Sequence, residues 1–109
     1  MTNVYVYVYT FKLFFLFDVE HTEVQYGDIH IGYGPTGLRV SNIANYSMKL
    51  IRVLFAGETD LPREECIEFL RELRIILESR SYCIFNRNCR HVSRYILKKF
   101  KCVDGEGMN

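Results

Sequence analysis

Residues 21–33 read HTEVQYGDIHIGY, and this segment sets the architecture expected of the whole chain. Residues 21–26 and 29–33 both have the composition of strands, and Gly27-Asp28 between them favours a tight hairpin turn. We therefore expect two neighbouring antiparallel strands here. The first half of the chain is then rich in strands.

Strand signals continue on both sides of this hairpin. Residues 4–9, VYVYVY, alternate β-branched and aromatic side chains, a strand pattern in which both faces can be buried. Residues 11–17 either continue that strand with a bend or form a short helical crossover. Residues 34–37, GPTG, predict a loop, residues 41–47 a polar turn, and residues 48–55 a further strand.

Two helices are predicted after the strands. The first spans residues 62–78, with Pro62 in its first turn and an apolar stripe of Cys66, Phe69, Leu70, Leu73, Ile76 and Leu77. The second spans residues 89–101, with an inner stripe of Val92, Tyr95, Ile96 and Phe100. This order predicts an α+β fold, a small antiparallel sheet packed with two main helices, in a single domain over residues 1–103 with a flexible tail at 104–109.

Composition narrows the class of protein. A chain of 109 residues with 49% hydrophobic and 25% charged residues suits one globular domain with one core. The net charge of +1 gives no overall field that would attract nucleic acid. The apolar run at residues 4–17 is shorter than the roughly 20 residues that a membrane-spanning helix needs. We expect no membrane association, and no cleavable signal peptide pattern is present.

The four cysteines, Cys66, Cys83, Cys89 and Cys102, follow neither a C-x-x-C nor a zinc-finger spacing. We therefore expect reduced thiols, no metal, no cofactor and a cytoplasmic or nuclear location. Cys66 lies on the apolar stripe of its helix, and Cys83 and Cys102 are interpreted as core or incidental thiols.

Cys89 differs because it stands at the start of a predicted helix, directly after Asn88, which can cap that helix. A helix N-terminus carries about half a positive charge, which stabilises the nucleophilic thiolate. A catalytic cysteine also needs a base, usually a histidine. His91 is two positions away on the same helix and points elsewhere, so His21 is the first candidate and His30 the second. The alternative is a structural one, in which Cys89 packs as a small apolar residue and His21 lies on the surface.

Two further features allow a binding role. From residue 80 to 101 there are seven Lys or Arg and no Asp or Glu. We interpret this run as a solvated face, and the alternative is a basic lip that binds an acidic partner. The tyrosines at 5, 7 and 9 belong either to the core or to an exposed edge that pairs two subunits as a homodimer.

Four segments, in the same order, resemble the PPPDE family, permuted papain-fold peptidases that include desumoylating isopeptidases. HTEV at 21–24 is similar to the family's His-Thr-x-Val strand, and VYVYVY at 4–9 to its first strand. GETDLPRE at 57–64 is similar to the segment that leads into its long helix. YCIFNRNCRHVS at 82–93 is similar to its Asn-Cys box, with Ser93 in the matching place.

The resemblance implies a permuted papain-like fold in which the histidine strand precedes the cysteine helix. It implies a dyad of Cys89 as nucleophile and His21 as general base and acid. The Cys89 backbone N–H and Asn88 are then expected to support the oxyanion. Structural residues near the site are then expected to be Tyr82, His91 and Ser93.

The implied function is a thiol hydrolase that cleaves isopeptide or peptide bonds of ubiquitin-like, SUMO-type conjugates, with a protein conjugate as its partner. The alternatives are an acyl-thioesterase or acyltransferase that uses the same dyad, and a non-catalytic binding module. Glu20 replaces the family's aromatic residue before the histidine, Val92 replaces a phenylalanine, and the stretches before His21 and at 34–47 are short. These features are typical of a compact member, such as a virus or a streamlined genome encodes.

Overall fold

A computed structural model describes residues 1–13, 15–44, 48–78 and 89–101. Within these residues, five strands form one antiparallel sheet in the order β4-β3-β2-β1-β5, and two helices follow. The predicted α+β fold is thereby confirmed. The elements are β1 Thr2–Leu13, β2 Phe17–Tyr26, β3 Ile29–Gly34, β4 Gly37–Ser41, β5 Lys49–Thr59, α1 Arg63–Glu78 and α2 Cys89–Phe100.

The alternating pattern of β1 gives the sheet two different faces. Successive side chains of a strand point to opposite sides, so the valines of β1 share one face and its tyrosines the other. Val4, Val6 and Val8 are at most 2% exposed. Val4 pairs with Tyr26 and Val8 with Thr22, which places the apolar positions of β2 on the same, core-forming face.

Both helices supply apolar stripes to the core on this face. Their buried members are Cys66, Leu70, Leu73 and Leu77 of α1, and Val92, Ile96 and Phe100 of α2. Full burial of each aliphatic side chain contributes about 1.5–3 kcal/mol. The Tyr26 hydroxyl also donates a hydrogen bond to the Leu61 carbonyl oxygen (2.6 Å), and the Thr59 hydroxyl donates one to the Phe100 carbonyl oxygen. These bonds tie the segment just before α1, and the last residue of α2, to the sheet.

The opposite face of the sheet carries a buried polar layer. Tyr9, Glu23 and His30 are each 1% exposed, although the side chains of Glu23 and His30 can carry a charge. The rings of Tyr7 and His30 meet edge to face with centroids 4.8 Å apart, and the Tyr9 hydroxyl lies 3.2 Å from His30 Nε2. Buried polar groups are stable only when they have hydrogen-bond partners, and here they partner one another.

The ladder between β2 and β3 is short, and it leaves the part of β2 around His21 unpaired with β3. It joins Val24, Gln25 and Tyr26 to Ile31, His30 and Ile29. Towards His21 the two strands are no longer paired, while β3 continues to pair with β4 as far as Gly34. Helix α2 packs against both β2 and β3, so its first turn lies near the point where they part.

Some local predictions were wrong. Residues 11–13 continue β1, as one of the two alternatives predicted, but the strand does not run on to residue 17, because β2 begins at Phe17 and pairs antiparallel with β1. Strand β4 was not predicted. It follows a two-residue turn at Pro35-Thr36, and Gly37 adopts a φ of 104° that favours glycine.

The helix stripes also differ from the prediction at their margins. Ile76 is 50% exposed and Tyr95 54% exposed, whereas Ser93 is buried. Ser93 occupies the inner position because it has a hydrogen-bond partner on the sheet, described below. Helix α1 begins at Arg63, one residue after the approximate start predicted at Pro62. The Pro62 carbonyl accepts the first helical bond, from Cys66 N (3.0 Å), so Pro62 is the cap. No helix in the described part of the chain is long and apolar enough to cross a membrane.

Candidate active site

Strand β2 presents a row of polar side chains on the face opposite the core. Alternation along the strand places His21, Glu23 and Gln25 on this face, and Thr22, Val24 and Tyr26 on the core side. His21 is only 4% exposed. The strand therefore holds an imidazole and a carboxylate next to each other, both largely shielded from water.

Helix α2 is attached to β2 directly beside His21. Thr22 Oγ1 donates a hydrogen bond to Ser93 Oγ (3.0 Å), and Ser93 Oγ donates one to the Thr22 carbonyl oxygen (3.3 Å). Both residues are buried, so loss of either partner would leave a polar group without compensation. This clamp sets the position of the first turn of α2, and with it Cys89.

Cys89, the first residue of α2, lies beside His21, close enough for each side chain to influence the charge of the other. Burial by itself lowers the pKa of His21, but the hydrogen bonds and charges of Cys89 and Glu23 raise that pKa from 6.5 to about 9. Burial likewise raises the pKa of Cys89. The hydrogen bond and charge of His21, together with hydrogen bonds from Thr22, outweigh it, so that the Cys89 pKa lies below its usual value. The raised pKa of His21 and the lowered pKa of Cys89 together favour a thiolate–imidazolium pair.

Glu23 lies on the other side of the His21 ring. Its Oε2 atom is 2.6 Å from His21 Nε2, and the residue is 1% exposed. A carboxylate accepts, so Nε2 carries a proton and Nδ1 is the nitrogen left for Cys89. Glu23 was not predicted from the sequence as a functional residue. The signal for it was the spacing His21-x-Glu23-x-Gln25, which repeats polar residues on one face of a buried strand.

Glu23 has two further donors besides His21. Arg39 Nη2 lies 2.9 Å from Oε1 and 2.8 Å from Oε2, and His30 Nε2 lies 2.7 Å from Oε1. His30 Nδ1 is 2.5 Å from Gln25 Oε1, and the same amide donates from Nε2 to the Gly27 carbonyl oxygen (2.7 Å). These contacts offset the cost of burying the carboxylate charge.

A cavity of about 260 Å³ opens beside these groups. It is lined by His21, Glu23, Arg39, Met48 and the glycine-containing segment 32–37. Glycines expose backbone along this wall because they have no side chains. The cavity provides room for part of a substrate next to the imidazole.

The structure brings His21 and Cys89 together and places His30 against the other oxygen of the Glu23 carboxylate. Ser93 is buried at the helix clamp, whereas His91 is exposed. Tyr82 and Asn88 lie outside the described residues, as do Cys83 and Cys102. The roles assigned to all these residues stay predictions.

Cys66 provides the contrast with Cys89. It is 0% exposed, and burial raises its pKa to about 11, although the charge of Arg63 opposes the shift. Both described cysteines are free thiols. Within the described part of the chain, no group of three or more His, Cys, Asp or Glu side chains could hold a metal ion. The position of Cys89 beside His21, by contrast, supports the chemistry of an activated thiol.

Comparison with known proteins agrees with this picture at the level of the family. The family model described as "PPPDE putative peptidase domain" matches residues 3–103. No curated protein matches the chain. The match confirms the resemblance seen in the sequence, and with it a permuted papain-like fold. The chain therefore belongs to the PPPDE family, whose description is that of a peptidase.

Proposed function

We propose that this protein is a cysteine peptidase that cleaves isopeptide or peptide bonds of ubiquitin-like, SUMO-type conjugates, with Cys89 as nucleophile and His21 as general base and acid. Membership of a peptidase family supports the reaction class. The observation that carries the proposal is the position of Cys89, at the first residue of α2 and beside His21, where each group favours the charged form of the other. A cysteine with a merely structural role has no need of that arrangement.

In the first half of the reaction the Cys89 thiolate attacks the carbonyl carbon of the scissile amide. The oxygen of the tetrahedral intermediate takes a hydrogen bond from the Cys89 backbone N–H. The first N–H groups of a helix have no partner within it, and such donors are worth a few kcal/mol in acyl transfer. We propose that Asn88 supports the same oxygen. The His21 imidazolium then gives its Nδ1 proton to the leaving amine, and a thioester acyl-enzyme remains.

In the second half His21 acts as a base. The neutral imidazole takes a proton from water, and the oxygen of that water attacks the thioester carbonyl. Collapse of the intermediate releases the carboxylic acid and returns the Cys89 thiolate, now facing an imidazolium again. The glycine-containing wall of the cavity suits an extended acyl chain with small side chains, because backbone can approach it closely.

An activity-based thiol probe, followed by a panel of ubiquitin-like conjugates and acyl thioesters, tests the proposal. Cys89→Ala should abolish both labelling and turnover, and His21→Ala should strongly reduce both. Cys66→Ala is the matched control, because it removes a free thiol whose pKa is raised rather than lowered, and it should leave both readouts unchanged. Hydrolysis by Cys89→Ala at the wild-type rate would contradict the proposal. Cleavage of acyl thioesters alone would assign the site to a thioesterase instead.

A further inference from the structure

The carboxylate of Glu23 lies directly behind the proposed catalytic histidine. Glu23 follows His21 by two positions on β2, so both side chains project from the same face of the strand. The Nε2–Oε2 distance of 2.6 Å is that of a short, charge-assisted hydrogen bond. Both side chains are buried, with relative exposures of 6% for His21 and 2% for Glu23. Water therefore competes little for this contact.

The surrounding residues hold the carboxylate in one place. Arg39 on β4 contacts both of its oxygens, and His30 on β3 contacts Oε1. The His30 ring is itself held through Gln25, whose amide is anchored at the Gly27 turn. Three strands thus converge on one carboxylate. Such outer partners commonly fix the orientation and tautomer of a working histidine.

Strand β3 also leaves space for this carboxylate. A Cβ atom at Gly32 would stand 2.5 Å from Glu23 Oε2, 2.7 Å from its Cδ and 3.1 Å from Arg39 Nη2. Gly32 pairs with Arg39 across the β3–β4 ladder. A side chain at position 32 would therefore occupy the volume in which Glu23 and Arg39 meet.

We propose that Glu23, held by Arg39 and His30 in the space left by Gly32, is a positioning residue for His21, which makes the site a Cys89–His21–Glu23 triad rather than a dyad. The proposal rests on the proposed function and deepens it. Glu23 fixes Nε2 as a donor, which aims Nδ1 at Cys89, and its charge stabilises the imidazolium. It acts through His21 and does not contact the reacting carbonyl.

The test compares Glu23→Gln with wild type in the pH profile of Cys89 alkylation by iodoacetamide, with Cys89→Ala as the background from other thiols. The substitution keeps the shape of the side chain but removes its negative charge. We expect the acid limb of the profile to move to higher pH by about one unit, which is a roughly tenfold slower reaction on that limb. In turnover, kcat should fall while KM stays within about twofold. Glu20→Gln is the matched control, since Glu20 is on the same strand but 53% exposed, and it should leave the profile unchanged.

A purely structural Glu23 would give a different result. Glu23→Gln would then lower the melting temperature and leave the alkylation profile where it is, which overturns the proposal. If Glu23→Gln does not fold, the test is made on the wild-type protein by NMR. A slowly exchanging downfield Nε2–H signal of His21 in proton NMR supports the proposal, and its absence overturns it. Alkylation needs no substrate. If the wild type cleaves no conjugate but Glu23→Gln still shifts the alkylation profile, only the proposed function is refuted.

Discussion

Gly32→Ala adds a single methyl group outside the proposed dyad, and the structure predicts that it disturbs both stability and thiol chemistry. The new Cβ would lie 2.5 Å from Glu23 Oε2, far inside the separation of about 3.5–4.0 Å at which heavy atoms pack best. Glu23 has little freedom to retreat, because Arg39 and His30 hold its two oxygens. Overpacking of this kind costs about 1–3 kcal/mol. The reduced freedom of the unfolded chain offsets about 0.4–1 kcal/mol of that, so the midpoints of the two ranges give an expected net loss of about 1.3 kcal/mol.

The assay is urea unfolding followed by tyrosine fluorescence, since the chain has eight Tyr and no Trp. Gly34→Ala on the same strand is the control for stability. A Cβ there meets nothing within 4 Å and the backbone has no positive φ, so this change should be neutral or slightly stabilising. Gly32→Ala should also shift the Cys89 alkylation profile to higher pH, because a displaced Glu23 supports His21 less well. A Gly32→Ala protein as stable as wild type would refute the assignment of this contact.

The two cysteines of the described residues, Cys89 and Cys66, and the helix clamp each give a further prediction. Turnover should rise with pH as Cys89 ionises, below the usual thiol range, and fall as pH passes about 9, where His21 loses the proton that the leaving amine needs; a pH–rate profile with no alkaline fall would contradict this. Cys66, with its raised pKa of about 11, should remain unmodified when the folded protein is treated with iodoacetamide at neutral pH, as mass spectrometry of peptides would show. Ser93→Ala should cost about 1–3 kcal/mol in the free energy of unfolding, because the buried Thr22 hydroxyl loses its acceptor; an unchanged urea midpoint would show that the clamp contributes nothing.

The periodicity of apolar residues predicted the correct type of secondary structure wherever a strand or helix buries one face. The alternation at residues 4–9 and 21–26 predicted strands, and the apolar spacing after Pro62 and Cys89 predicted both helices. Strand β4 could not be recognised in this way. It is five residues long and is held mainly by its pairing with β3 and by the turn before Gly37, and neither is a property of its own side chains.

The residues of the site likewise divide into those that the sequence indicated and those that only the fold revealed. The resemblance in short motifs pointed to Cys89 and His21, which are far apart in the chain and adjacent in the structure. It did not point to Arg39 or Gly32, because their relation to the site exists only once β3 and β4 lie beside β2. Glu23 had a detectable signal in its spacing from His21, but its burial and its three donors became evident only from the fold.

Local chemistry along the chain accounts for the fold class, the two helices and the family, because period, turn residues and short motifs are properties of neighbouring residues. Tertiary structure decides the charge state of the thiol and the orientation of the imidazole. Burial alone would keep Cys89 and His21 neutral; their interaction with each other, together with Thr22 at Cys89 and Glu23 at His21, reverses that preference. These contacts join α2 to β2, and Glu23 in turn to His30 on β3 and Arg39 on β4, and these elements meet only when the chain has folded.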